Sequence, residues 1–128
     1  MIYLDTSVAL AHLLGETRRP ADSLWNDTVV ASRLLEYELW NRLHARQLSH
    51  SHAELARQLL GMVALVELAP VVLARALEPF PAPVRTLDAL HLATLLFLQD
   101  QGQAVQLASY DTRLSTAASA LGIAAWSG

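Results

Sequence analysis

The chain predicts an α/β fold: a mostly parallel central sheet of about 4–5 strands flanked by helices on both faces. Three observations lead there. The length, 128 residues, suits a single domain at roughly 100–200 residues per domain. The composition is 53% hydrophobic and 16% charged, which excludes disorder and supplies a well-buried core. Short apolar or β-branched runs alternate along the whole chain with segments of helical spacing.

Element by element, Ile2–Asp5 is an apolar run closing on an acid, a buried strand. Thr6–Leu14 carries apolar residues at helical spacing and stops at Gly15, a C-terminal cap. Pro20–Trp25 predicts a short helix with proline in its first turn, and Thr28–Ala31 a second strand. Arg33–Gln47 reads as a long helix with Ser32 at its N-cap. Ser51-His52-Ala53-Glu54 has the form of a capping box, predicting a helix from about His52 to Val66. Val66–Leu68 is a weak strand and Pro70–Leu77 a short helix. Pro79, Pro81 and Pro83 forbid regular structure from Glu78 to Val84. Thr86 caps a strong helix to about Gln101, ended by Gly102. Ala104–Ala108 is a strand, Thr112–Leu121 a helix ended by Gly122, and Ile123–Trp126 the last strand.

Several function classes fall away. Without cysteine there is no disulfide framework, thiolate nucleophile or Cys-based zinc site. The most apolar stretches, Leu59–Ala74 and Ala89–Gln99, are broken by Glu67 and Pro70 or fall short of the ~18 residues a membrane span needs. The opening Met1–Asp5 lacks the basic region of a signal peptide, so a cytoplasmic protein is expected. No Gly-x-x-x-x-Gly-Lys loop, Gly-x-Gly-x-x-Gly turn or Gly-x-Ser-x-Gly elbow is present. The net charge is −3, yet all nine basic residues are arginine. Arginine is the better phosphate fork, although a GC-rich genome would also replace lysine with arginine. Global charge neither supports nor excludes RNA as a partner.

The placement of acids says more. In open parallel sheets the ligand site lies beyond the carboxyl ends of the strands. Asp5 closes the first strand, Asp111 follows the strand ending at Ala108, and Asp88 starts its helix. Glu36 and Glu38 lie on the first turns of the helix after the second strand. Asp88 and Glu36 would also serve as helix-dipole partners, and Asp111 as an N-cap. Asp5 fits those structural roles least well: it sits between Leu4 and Val8, no lysine exists to neutralise it, and no arginine lies in its segment. The helical wheel does not choose between Glu36 and Glu38. Carboxylates without His or Cys suit hard cations, Mg²⁺ or Mn²⁺, and the chemistry of phosphodiester hydrolysis by metal-activated water. His50 and His52 read as solvated surface. His91, one turn from Asp88, reads first as a core histidine and second as a group orienting Asp88. Trp25, Trp40 and Trp126 read as packing residues.

Four segments carry a resemblance. Ile2-Tyr-Leu-Asp5-Thr-Ser, Ser32-Arg-Leu-Leu-Glu-Tyr-Glu38, Arg85-Thr-Leu-Asp88-Ala-Leu-His and Ala108-Ser-Tyr-Asp111-Thr-Arg-Leu are similar, in that order, to the four motifs of PIN domains. The chain most resembles the small stand-alone toxins of VapC type. That resemblance implies a metal-dependent endoribonuclease with an acidic site of Asp5, Glu38, Asp88 and Asp111, favouring Glu38 over Glu36. It implies a Mg²⁺ or Mn²⁺ cofactor, an RNA substrate, a cognate antitoxin that blocks the site, and a homodimer. Ser109, where many relatives have threonine, and the extra acid Glu36 are the departures. The alternatives are a PIN-like protein-binding module with little or no nuclease activity, and a small-molecule phosphatase. The intact acid set argues against the first. The second would want Asp-x-Asp after the first strand, where Asp5-Thr6-Ser7 stands. To hold a polyanion, Arg33, Arg42, Arg46, Arg85 and Arg113 are expected at the cleft mouth, with Arg42, Arg85 and Arg113 binding substrate.

Overall fold

The computed structural model describes residues 1–128. The elements are β1 (Ile2–Leu4), α1 (Thr6–Leu14), a 3₁₀ turn (Asp22–Asn26), β2 (Val29–Ser32), α2 (Leu34–Ala45), α3 (Ala53–Gly61), β3 (Ala64–Val66), α4 (Pro70–Ala76), α5 (Thr86–Asp100), β4 (Gln106–Ala108), α6 (Thr112–Ala120) and β5 (Ala124–Ala125). The five strands form one parallel sheet in the order β3-β2-β1-β4-β5.

Strand β1 lies at the centre, buried on both faces, which is why its sequence is apolar throughout rather than alternating. Its pleat sends Ile2 and Leu4 to one side and Tyr3 to the other. On the first side they join Val29 and Ala31 against Val8 and Leu13 of α1, Leu35, Leu39 and Leu43 of α2, and Leu59 of α3. On the second side Tyr3, Val30 and Leu107 meet Leu92, Leu95 and Leu98 of α5 and Leu114 of α6. The strand order reverses at β1: the chain builds β2 and β3 outward on one flank, then crosses to β4 on the other. Such a reversal leaves a crevice beyond the carboxyl ends of the two strands flanking it, here β1 and β4.

The structure departs from expectation at several element boundaries. Pro20 lies outside any helix, Ala21 is extended, and only Asp22–Asn26 coils, as a 3₁₀ turn. Helix α3 stops at Gly61 and β3 begins at Ala64, because Ala64–Val66 align with Val30–Ser32; pairing with β2 takes residues that helical spacing had claimed. The capping box does not form: α3 starts after His52, while the Ser51 hydroxyl lies 2.8 Å from His52 Nδ1. Thr86 is the first residue of α5 rather than its cap. Ser32 Oγ does accept the Leu34 N–H at 3.1 Å, although Arg33 occupies the N-cap position. No helix is long and apolar enough to cross a membrane.

Candidate active site

Asp5 follows β1 directly, and its backbone N–H is tied to Ala108 O of β4 at 3.0 Å. That bond places the carboxylate in the crevice between the two strands, 7% exposed and paired with no basic side chain. Two hydroxyls hold it: Ser7 Oγ donates to Oδ2 at 2.6 Å and Ser109 Oγ to the same oxygen at 2.8 Å. Each hydroxyl is anchored in turn, Ser7 Oγ accepting the Tyr110 N–H and Ser109 Oγ the Asp111 N–H, both at 2.9 Å. The loop after β4 is thereby clamped to the start of α1, and Asp5 is fixed without being neutralised. Ser109, the departure in the fourth motif, still delivers the hydroxyl.

Glu38 reaches the crevice from α2 and meets His91 of α5, whose Nε2 lies 2.6 Å from Oε1. His91 is 2% exposed, and its other nitrogen, Nδ1, is 2.7 Å from the Tyr3 hydroxyl. The same hydroxyl accepts the Ser32 N–H at 3.2 Å. Burial opposes charge on His91, but the hydrogen bond and charge of Glu38, with Asp5 and Asp88 beyond, outweigh it and raise the imidazole above its ordinary pKa. In the charged ring both N–H groups donate, one to Glu38 and one to Tyr3. Burial pushes the Tyr3 phenol well above its usual range, so it stays protonated. His91 is thus a buried core histidine, as read first, and the acid it holds is Glu38 rather than Asp88.

Asp88 occupies the first turn of α5. Asp111 is a true N-cap: Oδ1 accepts the N–H groups of Arg113 at 3.0 Å and Leu114 at 3.3 Å. That role does not remove it from the crevice, since Asp5, Glu38, Asp88 and Asp111 all line one hollow of about 400 Å³. Arg42, Arg85, Arg113 and His91 line the same hollow. Glu36 does not; it pairs with Arg33 at 3.4 Å. Two arginines expected at the mouth are elsewhere, Arg33 being bound to Glu36 and Glu67 and Arg46 to Glu16. A larger hollow of about 710 Å³ lies between α4 and α5 beneath the proline loop, but mostly apolar residues line it and it holds none of these acids.

No three His, Asp or Glu side chains form a closed metal-binding cluster. Glu38 commits one oxygen to His91 and Asp111 one to its helix, which leaves a few hard oxygens spaced around the hollow. Thr6 Oγ1, buried beside Asp5 on the wall, has no partner within the chain. An open, oxygen-only set fits Mg²⁺ or Mn²⁺, ions that keep several waters and need few carboxylates. Sequence reasoning missed Tyr3, Ser7 and Ser109 as supports. Only Ser7, two residues from Asp5, left a local signal.

A model of the PIN domain matches residues 2–120. Among solved structures, the fold is similar to that of Mycobacterium tuberculosis VapC20, described as a sarcin–ricin loop cleaving toxin. The TM-score is 0.67 at 22% identity, covering 91% of this chain and 95% of that one. No curated protein is significantly similar in sequence.

Proposed function

The chain belongs to the PIN domain family, and on that premise we propose that it is a metal-dependent endoribonuclease, the toxin of a VapC-type toxin–antitoxin pair acting in the cytoplasm. One observation supports this reading most directly: four carboxylates and three arginines share the crevice at the β1–β4 reversal, and no arginine there is ion-paired. Asp5 and Asp88 would be the direct ligands of Mg²⁺ or Mn²⁺, with Glu38 and Asp111 completing its surroundings. A bound ion of this class supplies an activated water at neutral pH and charge for the leaving oxygen of a phosphodiester.

The chain's own residues prepare that chemistry. Ser7 and Ser109 hold Asp5 in one orientation, and His91 does the same for Glu38, so these two carboxylates are oriented before substrate arrives. The gathered carboxylates repel one another, and a cation relieves that repulsion, so loading should also stabilise the fold. Arg42, Arg85 and Arg113 offset the field that would otherwise turn a polyanion away, and each can fork onto a phosphate. As with VapC toxins, a cognate antitoxin would cover the crevice and the active form would be a homodimer. The test is cleavage of a mixed RNA pool by the purified protein with Mg²⁺ or Mn²⁺, and its loss with a chelator. Intact RNA under every metal condition would overturn the reading.

A further inference from the structure

The nine arginines divide by partner. Arg33, Arg46, Arg57 and Arg75 each pair with a glutamate. Of those that pair with no carboxylate, Arg42, Arg85 and Arg113 line the acidic hollow, and Arg18 lines a groove of about 580 Å³ beside it. The Arg18 guanidinium lies 4.2 Å above the Tyr110 ring, a contact that positions the charge without neutralising it. No acid lines this groove. Its opposite wall is a run of α6 hydroxyls from Thr112 to Ser119, spaced to share one helix face.

The groove continues from the acidic hollow. Ser109, whose hydroxyl holds Asp5, also lines it. A depression of about 430 Å³ shares Asp111 and Arg113 with the hollow and Thr112 and Thr116 with the groove. We propose that this groove is a binding site for the sugar–phosphate backbone of single-stranded RNA next to the cleaved bond, with Arg18 on a phosphate and the α6 hydroxyls on phosphate or 2′-hydroxyl oxygens. Guanidinium and hydroxyl donors with no acid among them are the chemistry that takes a polyanionic backbone without reading its bases. The proposal rests on the nuclease reading for its substrate, but its test does not.

Binding of a short single-stranded RNA is measured with the Asp5→Asn protein, and with the same protein carrying Arg18→Ala or Thr116→Glu, over a series of salt concentrations. Both added changes lie on exposed positions outside the acidic hollow. Arg18→Ala is expected to weaken binding roughly three- to tenfold and to lower the slope of log K against log salt by about 0.7, one phosphate contact on a single strand. Thr116→Glu should weaken binding at least as much, by placing a carboxylate in the path. In the active protein Arg18→Ala should raise KM and leave kcat unchanged. If both variants bind with the affinity and slope of the parent, the groove carries no RNA, whatever the cleavage result. If binding falls as expected while the wild-type protein cleaves nothing, the groove stands and the nuclease reading fails.

Discussion

Two halves of the same sheet edge use charge in opposite ways. Where β2 and β3 end, Arg33 donates from Nε to Glu67 at 2.9 Å and pairs with Glu36 on its own helix. The Arg33 hydrogen bond holds the Glu67 carboxyl below its ordinary range. Where β1 and β4 end, four acids and three arginines share one hollow, and no arginine closes on a carboxylate. The first arrangement is complete in itself. The second keeps its acids apart by giving them other holds: hydroxyls on Asp5, an imidazole on Glu38, backbone N–H groups on Asp111. Charges paired locally are structure; carboxylates such as Asp5 and Asp111, held by hydroxyl or N–H donors with no cationic side chain on them, are available to a cation, and the unpaired arginines to a phosphate.

The comparison breaks most visibly at Asp5 and Asp88. Asp5→Asn or Asp88→Asn is expected to lower RNA cleavage on the order of a hundredfold or more. The thermal midpoint without metal should stay unchanged or rise, because one repelling charge is gone. Cleavage assays and melting curves on the same preparations check both halves, and full activity in either variant would remove that residue from the site.

Glu36 and Glu38 differ by half a helical turn and sit on opposite sides of the divide. Glu38→Gln should cost roughly 10–100-fold in activity, while Glu36→Gln, which only loosens an exposed pair with Arg33, should leave the rate at wild type. Parallel steady-state assays decide it, and a reversed order would contradict the placement of both side chains.

Holding Glu38 in place is the work assigned to His91. Removing that bond in His91→Ala should weaken Mn²⁺ binding about tenfold, the usual size for losing a support behind a ligand. His91→Gln, which keeps a donor near Glu38, should recover part of it. Mn²⁺ titration followed by electron paramagnetic resonance reads this directly; equal affinity in all three proteins would make His91 a packing residue only.

The smallest effects come from the arginines. Arg42→Ala should raise KM for single-stranded RNA and lower its salt dependence by about 0.7 in slope, whereas Arg33→Ala should leave both alone. Arg33→Ala should instead return the Glu67 carboxyl upward toward its ordinary range, followed by NMR of the side-chain carboxyl against pH. The sign follows from the lowered native pKa: stability from the pair is present above the unfolded carboxyl value and is lost as pH falls through the native one. The variant should therefore show a weaker acid-side loss of stability than the wild type.

Alternation of apolar runs with helical segments was enough to expect the parallel α/β sheet, and the acids at strand ends were enough to expect one crowded edge. Both are local matters. A strand buried on two faces must be apolar throughout, and a carboxylate after such a strand is carried to the crevice by connectivity alone. Element boundaries were less legible. Gly61 to Val66 reads equally well as helix continuation until β2 offers hydrogen bonds to it.

The sequence by itself determined the sheet, its two apolar faces and the edge where Asp5, Asp88 and Asp111 gather, because each depends on neighbours along the chain. Only the tertiary structure decided which charge meets which partner. Glu38 finds His91 across 53 positions, Arg33 finds Glu67 across 34, and Ser109 finds Asp5 across 104. Hydrogen bonds act within about 3 Å and lose strength steeply beyond it. A residue's electrostatic role is therefore set by the few groups that packing brings that close, and spacing along the chain says little about which those are.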